Sequence, residues 1–157
     1  MFNHLLIPLD GSRLAEAALT AALELASRFD SEITLLRVVT PSYTMINMGD
    51  GAYSVYAELL TKLRTQAFQE AEMYLKSHQA MLQQQGYKVQ THLAEGEPVA
   101  EHILDMAERL DVDTIIMSTH GRGGIGRWVY GSVADKVLRH ANVPVLLIRV
   151  NPLVDSS

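Results

Sequence analysis

One short stretch carries the residues best placed to do chemistry. STHGRGGIGRWVYGS, from Ser118 to Ser132, holds five of the chain's ten glycines between an apolar run and a helical pattern. Glycines gathered in this way leave backbone N–H groups uncovered, and such groups at a helix start bind anions, phosphates above all.

Several readings compete for the glycine loop. The segment GRGGIG, 121–126, satisfies the dinucleotide fingerprint G-x-G-x-x-G, but its context does not fit. In that fingerprint the helix opens inside the motif, whereas here the helical pattern begins only at Ser132. No acidic residue stands between Lys136 and Val154 to hold a ribose. A P-loop fails because no lysine precedes the serine of Tyr130-Gly131-Ser132, and Lys136 is already within the helix. A two-part phosphate cradle fits better. Gly121 lets the chain bend away from the preceding strand, and Gly131-Ser132 offers amides and a hydroxyl where the helix macrodipole favours an anion. A flexible turn with Ser132 as a simple cap explains the same glycines, and the residues alone do not choose between these two.

The elements that must position these residues alternate in period. The run 4–9 reads as a buried strand, and Leu14, Ala18, Ala22, Leu25 and Phe29 give a helix over 13–29 capped by Ser12. EITLLRVV, 32–39, is a second strand. Residues 40–56 have no period and read as a long loop of the kind that is mobile or functional. A helix then runs to about Gln85 on a stripe of Leu60, Leu63, Ala67, Ala71, Tyr74, His78 and Met81, with Gly86 at its end. A strand follows over 87–94. Glu97-Pro98 opens a helix whose buried face is Val99, Ile103, Met106 and Leu110. A fourth strand spans 113–118, a capping box at Ser132 and Asp135 starts a helix to about His140, and a last strand spans 143–150. This order predicts an α/β fold: one open five-stranded, mostly parallel sheet with helices on both faces. Residues 1–150 form the domain and 151–157 a polar tail. Such sheets take ligands at the carboxyl ends of their strands, where the winding reverses.

The totals narrow the partners. A chain of 157 residues suits one domain, and a net charge of −5 without a Lys/Arg cluster argues against nucleic acid. The lack of cysteine excludes disulfides, thiolate metal sites and a thiol nucleophile. The opening MFNHLLIPLDGS lacks a basic signal-peptide region, and no apolar stretch is long enough to span a membrane, so a soluble, cytoplasmic protein is expected. The six histidines show no paired spacing, so no metal site is expected.

Over nearly its whole length the chain resembles the universal stress protein family. The likeness is carried by LLIPLDGS, LLRVV, IIMSTHGRGG and YGSVADKVLRHANVPVLLI. The family's nucleotide-binding members carry G-2x-G-9x-G-[ST], which falls here on Ser118, Gly121, Gly131 and Ser132, with serine at the first position. The resemblance implies a Rossmann-like sheet of order similar to 3-2-1-4-5, with its reversal between strands one and four. It implies ATP as ligand, with Asp10 accepting from the ribose hydroxyls, Pro8 and Leu9 lining the adenine side, and Val38 and Met117 touching adenine. The phosphates would fall to Gly121, Gly131, Ser132 and Val133. Arg122 and Arg127 either add charge at the terminal phosphate or stand as solvated loop residues. Mg²⁺ would arrive with ATP, held mostly by phosphate and water. The family also implies a homodimer through the last strand, Val143 to Val150. The expected function is that of an ATP-binding stress-response regulator. No general base, water-orienting glutamine or Walker aspartate is recognisable, so fast hydrolysis is not expected. A dimeric scaffold without nucleotide and a slow adenine nucleotidase are the alternatives.

Overall fold

Five extended runs pair into one sheet, and its central strands are buried on both faces. The computed structural model describes residues 1–40, 53–119 and 131–149. The elements in chain order are β1 (His4–Pro8), α1 (Arg13–Phe29), β2 (Glu32–Val39), α2 (Tyr53–Gln84), β3 (Lys88–Glu95), α3 (Val99–Arg109), β4 (Thr114–Ser118), α4 (Ser132–His140) and β5 (Val145–Ile148). All pairings are parallel, and the strand order is β3-β2-β1-β4-β5, as the family resemblance implies.

Successive strand residues point to opposite faces, so β1 feeds two cores. Leu5 and Ile7 join Ile33, Leu35 and the helices α1 and α2 on one side. Leu6 joins Leu36, Ile115 and the helices α3 and α4 on the other. This double coverage is why the central strands read as unbroken apolar runs instead of alternating ones.

The helix starts and stops follow local chemistry. The Ser12 hydroxyl accepts from the Ala15 N–H at 3.1 Å and caps α1 as expected. α2 ends at Gly86, in the left-handed region at φ 92°, with the Tyr87 N–H on the Leu82 carbonyl. Two helical faces depart from the predicted stripes. α1 buries Ala15, Ala18, Leu19, Ala22 and Ala26, while Phe29 is 50% exposed and packs its ring on Phe2. The small alanines let this helix lie close to the sheet, so the buried face is set by size as well as by period.

In α2 the buried residues are Ala71, Leu75 and Leu82, while Leu63 and Met81 of the predicted stripe are exposed. Length explains the difference. A helix of 32 residues extends about 48 Å, against about 26 Å for an eight-residue strand. Its first half therefore outruns the strands it packs on. The helix also begins at Tyr53, inside the loop predicted over 40–56. Residues 41–52 of that loop, and the tail 151–157, lie outside the described residues.

The N-terminus is tied to the sheet by one carboxylate. Asp113 accepts from the Phe2 N–H at 2.9 Å and from the Asn3 N–H at 2.8 Å, with the terminal ammonium 3.8 Å away. Burial acts to raise its pKa. The Asn3 amide, the Thr114 hydroxyl and the terminal ammonium outweigh that and hold the carboxyl below its ordinary value. A depressed carboxylate contributes stability that is present above the unfolded value of 3.8 and lost as pH falls through the lower folded value. Asp113→Asn should therefore destabilise the protein by about 1–2 kcal/mol at neutral pH. Urea unfolding of both proteins between neutral and acidic pH should show the gap closing only at acidic pH.

Candidate functional site

In a parallel sheet, alternate residues of a strand bond to alternate neighbours. On β1 the Leu9 N–H donates to the Leu36 carbonyl of β2 at 2.8 Å, while the His4 carbonyl accepts from the Asp113 N–H, on the β4 side, at 3.1 Å. Position 8 therefore faces β4, and Pro8 has no N–H to give it. The pairing shows the result. β1 stays with β2 as far as Pro8↔Leu36, but its register with β4 ends at Leu6↔Ile115. β4 meanwhile stays with β5 as far as Ser118↔Ile148. The sheet parts between its two middle strands, at their carboxyl ends.

A cleft of about 460 Å³ opens there, within the size range of small-molecule sites. Leu9 and Met117, both nearly fully buried, lie at its base with the half-buried Val38. Pro8, Asp10 and Ser118 line it from the strand ends, and Gly131, Ser132 and Val133 from the start of α4. These nine sequence-predicted residues thus share one cavity. The other three, Gly121, Arg122 and Arg127, lie outside the described residues.

Asp10 stands just ahead of α1, and its Oδ1 accepts from the Ser12 N–H at 2.9 Å. A carboxylate there is favoured by the helix dipole and remains an acceptor for hydroxyl donors. Across the cleft, Gly131 caps α4, and the first helical bond runs from the Asp135 N–H to the Gly131 carbonyl at 2.9 Å. The amides of Ser132, Val133 and Ala134 precede that ladder.

This corrects the predicted capping box. Ser132 is the first helical residue, not the cap, and the Asp135 carboxylate pairs with Arg139 at 2.9 Å. The Gly131 N–H is itself engaged, donating to the Thr119 carbonyl at 2.8 Å. With φ at −53°, this backbone is open to any residue, so what glycine contributes here is the lack of a side chain at the cleft's lip.

Several cleft residues were not among the sequence candidates: Arg37, Thr40, Ala67, Glu70, Val99 and Ile103. Most are apolar or surface-like in pattern, and nothing in their spacing marks them. Arg37 did carry a signal, as a charge inside the otherwise apolar strand LLRVV. Its guanidinium lies over the Tyr74 ring, 5.2 Å from the centroid. The Tyr74 hydroxyl donates to Glu16 Oε1 at 2.8 Å. Burial first, then that carboxylate, pushes the phenol well above its usual range and keeps it a neutral donor. Among the described residues no three His, Asp or Glu side chains stand close enough together to hold a metal ion. No helix among them is long and apolar enough to cross a membrane.

Residues 1–149 match the family model described as "Universal stress protein family". The chain belongs to the universal stress protein family. Universal stress protein MJ0531 of Methanocaldococcus jannaschii is 32% identical over 149 residues, covering 95% of this chain and 83% of that one. Among solved structures, hypothetical protein MJ0577 superposes with a TM-score of 0.81 at 28% identity, covering 97% of this chain and 99% of that one. A universal stress protein from Archaeoglobus fulgidus, solved in complex with dAMP, gives a TM-score of 0.64 at 21% identity, covering 94% and 98%. At that identity the likeness concerns the fold.

The turn beside Asp10 yields a direct test of this geometry. Gly11 has φ of +84°, and a Cβ there would lie 2.3 Å from Arg37 Nη1. A side chain in the left-handed region costs about 1–2 kcal/mol, so Gly11→Ala should lower Tm by roughly 2–8 °C. Differential scanning calorimetry of the two proteins measures it.

Proposed function

We propose that this universal stress protein binds ATP in the cleft between β1 and β4 and acts as a nucleotide-dependent regulator in the stress response. The observation that carries this reading is the pairing of two chemistries across one cavity. A carboxylate acceptor, Asp10, stands on one side and the amide-bearing N-terminus of α4 on the other, with an apolar base between them. These three chemistries, an acceptor for hydroxyls, an apolar surface and amide donors, are the ones that ribose, base and phosphates call for. The dAMP complex of the Archaeoglobus fulgidus relative supports an adenine nucleotide as the ligand class. Mg²⁺ would come with the phosphates, held by them and by water. In this reading Gly121, Arg122 and Arg127 belong to the phosphate side, and the chain works in the cytoplasm with little or slow hydrolysis.

One observation favours the scaffold alternative. The Gly131 N–H bonds to Thr119 as a purely structural turn would require. Two substitutions separate the readings. Nucleotide-free protein with millimolar ATP and Mg²⁺, at about 100 times Kd, should gain about 2.7 kcal/mol, or roughly 5–10 °C in Tm. GTP should give little. Asp10→Ala and Gly131→Leu should each lose most of the ATP shift in the same fluorimetric melt. An ATP shift that survives in both variants, or is missing from the wild type, contradicts the proposal.

The proposed partner is a second copy of the chain, joined through β5. This strand is an edge of the sheet, and its Leu146 is 37% exposed. A bare apolar edge invites pairing. Of the expected interface, Val150 lies outside the described residues. Leu146→Lys should convert a dimer into a monomer by light scattering, with the Tm shift on ATP retained.

A further inference from the structure

The universal stress protein reading leaves one well-built cluster without a task. Arg37 lies on β2 between Leu36 and Val38, pointing to the α1–α2 side, where a fully apolar residue would avoid the cost of desolvating a cation. Its surroundings are arranged to hold the guanidinium plane. Tyr74 is the platform beneath it, fixed at its hydroxyl by Glu16 of α1. The His78 ring packs against Tyr74 in a tilted contact with centroids 4.4 Å apart, and its Nδ1 donates to the Tyr74 carbonyl at 2.9 Å. Its Nε2 lies 3.6 Å from Glu16 Oε1. α1 and α2 are thus joined around a single aromatic ring.

The upper edge of the guanidinium meets the backbone at Gly11. A Cβ at that position would lie 2.3 Å from Nη1, 3.2 Å from Cζ and 3.3 Å from Nη2. Glycine is favoured there by its φ of +84°, and the guanidinium tip occupies the space a Cβ would take. The same turn carries Asp10, whose Oδ1 is held by the Ser12 N–H. Asp10 and Arg37 lie close enough to Tyr74 that their opposite charges act on its hydroxyl in opposite directions. The line of contact runs from α2, through the arginine plane, to the carboxylate turn at the cleft.

We infer that Arg37 is a positioning residue: packed between Tyr74 and Gly11, it fixes the turn that aims Asp10 and so sets the cleft's preference for a ligand with a ribose diol. This rests on the nucleotide reading above and goes beyond it, because Arg37 acts through Asp10 and not on the phosphates. Lysine would not replace it, since an ammonium has no plane to lie between ring and turn.

Titration calorimetry with ATP and 2′,3′-dideoxy-ATP separates the possibilities, because the ratio of the two affinities does not depend on the fraction of active protein. The wild type should favour ATP by about tenfold or more, the worth of hydroxyl bonds to a charged acceptor. Asp10→Ala should bring the ratio near one. Arg37→Met and Arg37→Lys should both move it most of the way there. Tyr74→Leu, which removes the platform and leaves the arginine, should act in the same direction and carries the test if Arg37→Met does not fold. A wild-type ratio in folded Arg37→Met or Tyr74→Leu overturns the inference alone. Failure of the wild type to bind either nucleotide overturns the nucleotide reading and this inference together.

Discussion

A missing hydrogen-bond donor governs where this molecule opens. In the middle of a parallel sheet every strand residue owes a bond to one neighbour or the other, and position 8 owes its bond to β4. Proline cannot supply it. The register between β1 and β4 ends two residues earlier, at Leu6↔Ile115, while the outer pairings run on. Everything that marks the site follows from that separation: the apolar base at Leu9 and Met117, the carboxylate on one lip, the helix N-terminus on the other. Proline in a central strand would ordinarily argue against the strand; at its last residue it ends one pairing and leaves the other whole.

The two lips differ in how firmly they are built. The Asp10 side is over-determined, with Ser12, Gly11, Arg37 and Tyr74 each fixing part of the turn. The α4 side is held to the sheet by a short relay. The Ile148 carbonyl accepts from the Thr119 N–H, and the Thr119 carbonyl accepts from Gly131, so the helix start is anchored to the edge strand β5. A ligand bridging the lips would therefore touch the rigid turn and the edge of the sheet at once. This gives the fold a physical route between a cleft ligand and the edge strand without a long-range rearrangement.

The sequence exposed the fold well wherever a local rule was decisive. Apolar runs bounded by turn residues marked four strands and polar–apolar alternation marked β3, while Ser12 and Gly86 marked helix ends because a capping hydroxyl and a left-handed glycine are local demands. The helix faces were less legible. Period alone assigned Phe29, Leu63 and Met81 to the interior, but burial depends on residue size against the sheet in α1 and on the overrun of a long helix in α2. The α4 start misled for a related reason, since Gly131 takes the cap position through its backbone and leaves Ser132 inside the helix. Of the cleft, the glycines and Ser132 were visible as a possible anion cradle, whereas Pro8, Leu9, Asp10, Val38 and Met117 came only from the family resemblance. Arg37 was visible only as an anomaly, a charge in an apolar strand. Glu70 and Ala67 were not visible at all, because they reach the cleft from a helix whose placement no local pattern states.

The central place of β1 also bears on how the chain reaches its fold. Its β2 neighbour follows soon in the chain, but its other edge waits for β4, and the Phe2 amide finds the Asp113 carboxylate across 111 residues. Contacts of such separation close late, because the loop entropy must be met before they form. The first strand of the sheet in chain order is thus among the last to be completed. A chain halted before Thr114 would hold Leu5, Leu6 and Ile7 in a strand with one apolar edge unmatched, a template for association. For a protein of the stress response, the segment most exposed to aggregation during synthesis is the one that later forms the middle of the sheet.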